Sequence, residues 1–290
     1  MSIRSTTGLI VTIGIAVASG VSANAATLPT VFVSNSGSNA AGCGVISSPC
    51  RGIGYAIANA VASNGRIIVL DQGYVTGPLV INKPVSIVAT PGTATIIPGS
   101  GVSVKVTAGT GHVMLQGLTI DGQGGGTYGI DVQAAGSVSI VDCVVHDFAS
   151  DGILIEPNAA LRYDIRNTTV VDNGQAGINI QVRSGGSAVG SIVNVDALRN
   201  RGSYAGVTVN GQGSTAIAHI TNTRSSFNTA CGFAKVENGS FYLSASTAAG
   251  NACNITSNGG GGPGYTYQNN YLTGNTTDTG TGYLSAVSAQ

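Results

Sequence analysis

The chain has 290 residues, with twelve Lys plus Arg against twelve Asp plus Glu and only 8% charged residues in all. So sparse and balanced a charge set argues against a nucleic-acid partner, because phosphate binding needs clustered Lys and Arg. The 44 Gly would suit disorder, but 42% of residues are apolar and alternate regularly, while Trp is absent and aromatics reach only 5%. That combination fits a packed β structure with a thin core of small aliphatic side chains.

Residues 1–25 read as a secretion signal. Arg4 supplies the positive start, Gly8 to Val21 the apolar stretch, and Ala23-Asn24-Ala25 a small-x-small cleavage site. The apolar run is short for a bilayer span, no second run of spanning length follows, and no Cys adjoins the cleavage site for lipid attachment. The mature chain is expected to be soluble, secreted or periplasmic, with no membrane span. Residues 26–65 open with a short strand, Val31-Phe32-Val33, followed by a loop bracketed by Cys43 and Cys50. Gly52 to Ala62 then place Ile53, Ala56, Ile57, Ala60 and Val61 on one helical face. Such a helix would cap the open end of whatever follows.

Residues 66–272 become short apolar strands separated by Gly, Asn, Asp and Pro, among them Ile67-Ile68-Val69-Leu70, Val85-Ser86-Ile87-Val88, Val113-Met114-Leu115 and Val138-Ser139-Ile140. A two-residue period in strands this short gives one inward apolar face and one outward polar face. Gly259 to Gly264 read as a flexible loop and Tyr265 to Leu272 as a closing strand pair. Residues 273–290 read as a polar tail, too short for the membrane barrel of an autotransporter.

Inside this region one pattern recurs. Gly129-Ile130, Gly152-Ile153, Gly177-Ile178, Gly206-Val207, Gly232-Phe233 and Asn254-Ile255 place apolar anchors 23, 25, 29, 26 and 22 residues apart. A near-constant interval with the same local grammar marks stacked coils of a solenoid. Three strands per interval, with no helix-length pattern between them, give an all-β parallel helix of triangular coils. Aligned on their anchors, Cys231 and Cys253 fall at one position of adjacent coils. Coils stack about 4.8 Å apart, within the Cα separation of a disulfide, so Cys231–Cys253 is the expected bridge, with two stacked free thiols as the alternative. Cys43–Cys50 is the second bridge, and Cys143 reads as a buried filler.

Ser48-Pro49-Cys50-Arg51 with its helix, then Gly65 to Tyr74, then Ile81-Asn82-Lys83-Pro84-Val85-Ser86-Ile87, resemble the entry of a single-stranded right-handed parallel β-helix. The wider group is the pectate-lyase-like superfamily. The resemblance implies a right-handed coil with an N-terminal capping α-helix and a polysaccharide as the partner class. It leaves activity open, since the superfamily holds lyases, hydrolases, epimerases and adhesins.

Candidate chemistry lies where the coils differ. Alignment on the Asp/Asn preceding each anchor gives a column of Asp147, Asn173, Asn200, Asn228 and Asn251, which reads as a turn ladder. The column before it, His146, Asp172, Arg199, Phe227 and Gly250, would stack imidazole, carboxylate and guanidinium at one corner. Such a trio suits acid–base work or a sugar clamp, and equally a solvated charge ladder. Asp147, Asp151, Tyr128 and Tyr204 are the candidate ligand-binding residues beside it. Positions following the anchors read Asp131, Leu154, Asn179, Thr208 and Ala234, a flat polar face suited to a polysaccharide.

The checks for known chemistry come out negative. The Arg residues are scattered, and neither Asp-Asp nor Gly-His-Gly, as polygalacturonase-type hydrolases carry, occurs in the chain. The three His are far apart in sequence and no Cys pair has zinc-ligand spacing, so no metal site is expected. No cofactor is implied, and calcium on Asp carboxylates and turn carbonyls stays open. The leading expectation is a binding or structural protein at or outside the cell envelope. The alternatives are a divergent polysaccharide lyase or epimerase acting on an acidic glycan, and an adhesin or surface-assembly module.

Overall fold

The computed structural model describes residues 27–71, 74–98, 100–259, 262–278 and 283–287. The signal reading of residues 1–25 and part of the Gly-rich run at 259–264 lie outside them. The described chain winds as a right-handed parallel β-helix whose strands gather into sheets of eleven, eight and seven. One coil shows the plan. Ser137–Val141 lies in the eleven-stranded sheet, Val144–His146 in the seven-stranded sheet and Ile153–Ile155 in the eight-stranded sheet, and Ala160–Arg166 then stacks on Ser137–Val141.

The anchors read from the sequence are the rungs of the eight-stranded sheet. Ile130 pairs with Ile153, Ile153 with Ile178, Ile178 with Val207, Val207 with Phe233, and Phe233 with Ile255. All six side chains are buried in the solenoid core. Four successive coils turn from the eleven- to the seven-stranded sheet through two residues, the first in the left-handed region: Asp142, Asn167, Asn194 and Asn222 have φ of 53°, 50°, 55° and 47°. Asn and Asp tolerate this conformation because their short polar side chains bond locally. Here they also bond along the axis, Asn167 to Asp142, Asn194 to Asn167 and Asn222 to Asn194.

A second, buried ladder runs along the corner between the seven- and eight-stranded sheets. Its members are Asn173, Asn200, Asn228, Asn251 and Asn275. The backbone N–H and the side-chain Nδ2 of each of the first four donate to Oδ1 of the next, at 2.9–3.1 Å. Asp278 ends the row by accepting from Asn275. At its start Phe148 stands in place of an Asn, its N–H donating to Asn173 Oδ1. The sequence alignment that put Asp147 in this column is therefore one residue out. Asp147 belongs to the outer corner position with Asp172, Arg199, Phe227 and Gly250, all at positive φ.

The N-terminal element also differs from expectation. In place of a helix through Ala62 there is one α-helical turn, Ile53–Tyr55, and a π-helical turn, Ala56–Ala60. Gly52 offers no side-chain cap, and β-branched Val61 opens the strand Val61–Val69 by pairing with Leu28. Ile53, Ala56, Ile57 and Ala60 still join the core, as does Val61 from its strand. Beyond Leu272, the strand Leu284–Ala286 adds to the eleven-stranded sheet beside Gly264–Thr266.

Axial stacking brings like residues together elsewhere. Cys231 lies opposite Cys253 and bonds to it, with Cα atoms 4.3 Å apart, and Cys43 bonds to Cys50. Cys143 is buried with its thiol pushed up to about 11, chiefly by desolvation, so it carries no thiolate reactivity at neutral pH. On the outer side of the eleven-stranded sheet, His219, Tyr242 and Tyr265 stack at 4.8 and 4.6 Å between ring centroids. Inside, the Tyr163 ring lies against Gly190 of the next coil, where a Cβ would come within 2.5 Å of it. Its hydroxyl donates to the Ile217 carbonyl one coil further on.

The Asn ladder yields a stability test. Asn200→Ala strips Asn173 of the acceptor for two buried donors and Asn228 of one donor, at a cost of about 2–4 kcal/mol. Urea unfolding of the variant against the parent reads this as a lower midpoint at unchanged slope.

Candidate functional site

Strands of the eight-stranded sheet turn every second residue into the core, so the alternate residues line its outer face. In register these are Lys105, Asp131, Leu154, Asn179, Thr208 and Ala234. At about 4.8 Å per strand the row runs some 24 Å along the solenoid. A second row, two residues on, includes Gln133, Glu156, Gln181 and Asn210.

Asp131 is the centre of this face. It is 3% exposed, and only one of its carboxylate oxygens is engaged, Oδ2 accepting from Gln133 Nε2 at 2.9 Å. Burial, with repulsion from Glu156, pushes its pKa up to about 6, against the partial relief of Lys105, the Gln133 hydrogen bond and Arg183. Glu156 is held by Arg183, whose Nη2 lies 2.8 Å from Oε2, and receives a longer contact from Gln133. Asp131 thus sits between a second carboxylate and two cationic side chains. A carboxylate poised near neutrality is suited to taking a proton and releasing it again.

Asp151 stands at the mouth of the same face. Its carboxylate accepts from the Ala176 N–H at 2.9 Å and from Asn179 Nδ2 at 3.0 Å. Burial raises its pKa and those two hydrogen bonds oppose the rise. Ser103 Oγ, Asn179 Oδ1 and Thr208 Oγ1 are buried on this sheet without a hydrogen bond. Unpaired buried acceptors and hydroxyls are costly.

The residues singled out from sequence fall into separate places. His146 lies opposite Val171 and Asp121, not Asp172. The proposed His146–Asp172–Arg199 stack therefore divides, because the corner residue facing Asp172 is Asp147. His146 Nδ1 lies 2.7 Å from Asp147 Oδ2 and 3.8 Å from Asp121 Oδ1. Asp172 and Arg199 form a bidentate pair, Nε to Oδ1 at 3.1 Å and Nη2 to Oδ2 at 2.8 Å, with Arg201 3.5 Å away. Arg199 holds the Asp172 carboxyl below its ordinary range. Each group in that pair already occupies the other. Tyr128 is half-buried in the strand Gly126–Ala134 of the eight-stranded sheet, opposite Val102, and Tyr204 is exposed in the loop entering that sheet.

Lys105, Gln133, Glu156 and Arg183 were missed by sequence reasoning. Counting three residues on from Ile130 and Ile153 would have found Gln133 and Glu156 as outward neighbours of adjacent coils. No periodic signal marks Arg183, which sits beyond the strand end.

A family model described as a right handed beta helix region matches residues 19–191. Among solved structures the chain is similar to the crystal structure of pectate lyase Pel9A. Identity is 16% and the TM-score 0.54, covering 91% of this chain and 82% of that one. The A-module of mannuronan C-5 epimerase AlgE4 from Azotobacter vinelandii shows 11% identity and a TM-score of 0.32, over 78% and 91% of the two chains. At that score it carries no weight for the fold. No curated protein matches the sequence.

The raised Asp131 pKa has a stability consequence. The protonated form is favoured in the folded state, so its contribution is fully present below the ordinary carboxylate pKa near 3.8 and is lost as pH rises to about 6. Asp131→Asn should therefore stabilise the fold by about 3 kcal/mol at pH 7, with the gain shrinking towards pH 4. Urea midpoints of both proteins at the two pH values test this.

Proposed function

From the premise that the chain belongs to the family of right-handed β-helix regions, we propose that its eight-stranded sheet binds an acidic polysaccharide and abstracts the proton α to a uronate carboxylate. The single observation that carries this is Asp131, buried, tuned to about 6, and in register with Lys105 on the adjacent strand. The fold itself dictates no chemistry. The choice of an acidic glycan draws on analogy with the pectate lyase of similar fold, and on the two cations at the site.

In this reading Lys105 and Arg183 meet the uronate carboxylate and offset the charge that builds on it as C5 loses its proton. Asp131 takes that proton, and the C5–H electrons delocalise into the carboxylate. Collapse with departure of the C4 oxygen, which takes up the proton held by Asp131, gives an unsaturated sugar, the lyase outcome. Delivery of a proton from water to the opposite face of C5 gives the epimer. The row of outward polar residues aligns the chain along the solenoid axis, and Asp151 with Asn179 fixes the side from which it is held.

A second reading, binding without turnover, is favoured by the flat run of small outward residues Asn179, Thr208 and Ala234 along the eight-stranded sheet, which needs no proton transfer.

Polygalacturonate and alginate in deuterated buffer distinguish the two. Deuterium at C5, seen by NMR, or unsaturated-uronate absorbance is expected, with a rate that rises through pH 6 as Asp131 ionises. Asp131→Asn should lower it about a hundredfold or more with circular dichroism unchanged. Retention on a glycan array without exchange or elimination would establish the binding reading instead. Neither turnover nor retention would remove both.

A further inference from the structure

The outer corner between the seven- and eight-stranded sheets carries a set of side chains that the proposed reaction does not use. Asp121 ends the strand Leu118–Asp121 and lies in register with His146, which ends Val144–His146 on the next coil. Asp147 follows at the left-handed corner, φ 59°, so its side chain swings back beside the imidazole. One donor atom from each of the three lies within 4.8 Å of the other two. Donor atoms around an ion with bonds of 2.0–2.1 Å sit roughly 3.3 Å apart; His146 Nδ1 is 3.8 Å from Asp121 Oδ1 and is hydrogen-bonded to Asp147 Oδ2 at 2.7 Å, a bond the ion would replace by taking both atoms as ligands.

The charge balance points the same way. Asp164 pairs with Arg166, Glu156 with Arg183, Asp172 with Arg199 and Asp196 with Arg224. Among the described residues Asp121 and Asp147 have no Lys or Arg partner and share only His146. Two carboxylates closing on one imidazole leave a net negative pocket. Asp147 is half open to solvent, so water can complete the coordination shell. The Gln123 N–H, donating to Asp121 Oδ1 at 2.9 Å, holds that carboxylate in place.

We propose that Asp121, His146 and Asp147 bind one divalent first-row transition-metal ion, with Zn2+ as the type case. A nitrogen donor with only two carboxylates suits zinc, nickel or copper, whereas calcium takes six to eight oxygens. The site lies on a different sheet face from Asp131 and stands whether or not the chain acts on a glycan. Protons compete with a metal for these three donors, so affinity should fall in acid.

Isothermal titration of the untagged protein with Zn2+, Ni2+ and Ca2+ at pH 7.5 and pH 5.5 tests this. One Zn2+ per chain is expected at pH 7.5, with weaker binding at pH 5.5. His146→Ala and Asp147→Asn should each lower Zn2+ affinity at least about tenfold with circular dichroism unchanged, while His219→Ala leaves it as it was. Absence of one-site Zn2+ binding would overturn the proposal. So would full affinity in His146→Ala, equal loss in His219→Ala, or Ca2+ binding tighter than Zn2+ that both His146→Ala and Asp147→Asn weaken.

Discussion

Parallel hydrogen bonding between successive coils sets one axial spacing, about 4.8 Å, and the rest of the molecule is built to that measure. At this distance a residue meets its counterpart on the next coil more closely than almost anything else. Identical side chains must therefore be able to bond to themselves. Amides can, since each offers both donor and acceptor, and the buried row from Asn173 to Asn275 does so without a break. Rings can, by stacking, as at His219, Tyr242 and Tyr265. Cysteines can, by bonding covalently. Carboxylates cannot: where Asp147 and Asp172 follow one another at the outer corner, each turns aside, to His146 and to Arg199.

The same measure explains which parts of the sequence were legible. Apolar anchors repeat because the interior admits little else, and every interval read from them became a strand register. Corners were harder. A ladder of Asn looks the same whether its first member is Asp147 or Phe148, and only the Asn173 Oδ1 contact to the Phe148 N–H reveals which it is. That one-residue slip carried His146 away from Asp172. The helical segment lies where its apolar face puts it but ends two residues sooner, because Val61 satisfies both a helical face and a strand and pairing with Leu28 decides between them.

The candidate site was half visible. Asp131, Asn179 and Thr208 could be read as one outward row, but as a bland one. What makes the row unusual is burial, which shifts Asp131 and strands the polar atoms of its neighbours, and burial of an outward face leaves no trace in a two-residue period. Glu156 and Arg183 belong to the end of the strand, where side chains of different coils converge without sharing a sequence pattern. Function on this scaffold is thus written in the departures from its own repeat.

Tyr163 departs from the repeat inside the core. A stack in which each coil touches only its neighbours behaves as a one-dimensional array, and such arrays can lose their ends piecemeal. By lying across Gly190 and reaching the Ile217 carbonyl, Tyr163 links its own coil to the second one beyond. Three coils then gain or lose order as a block, and that block sits beside Asp151, Glu156 and Arg183. A zipper would otherwise open there tooth by tooth; this one is stitched across, so the stretch of wall that carries the charged groups opens whole or stays shut.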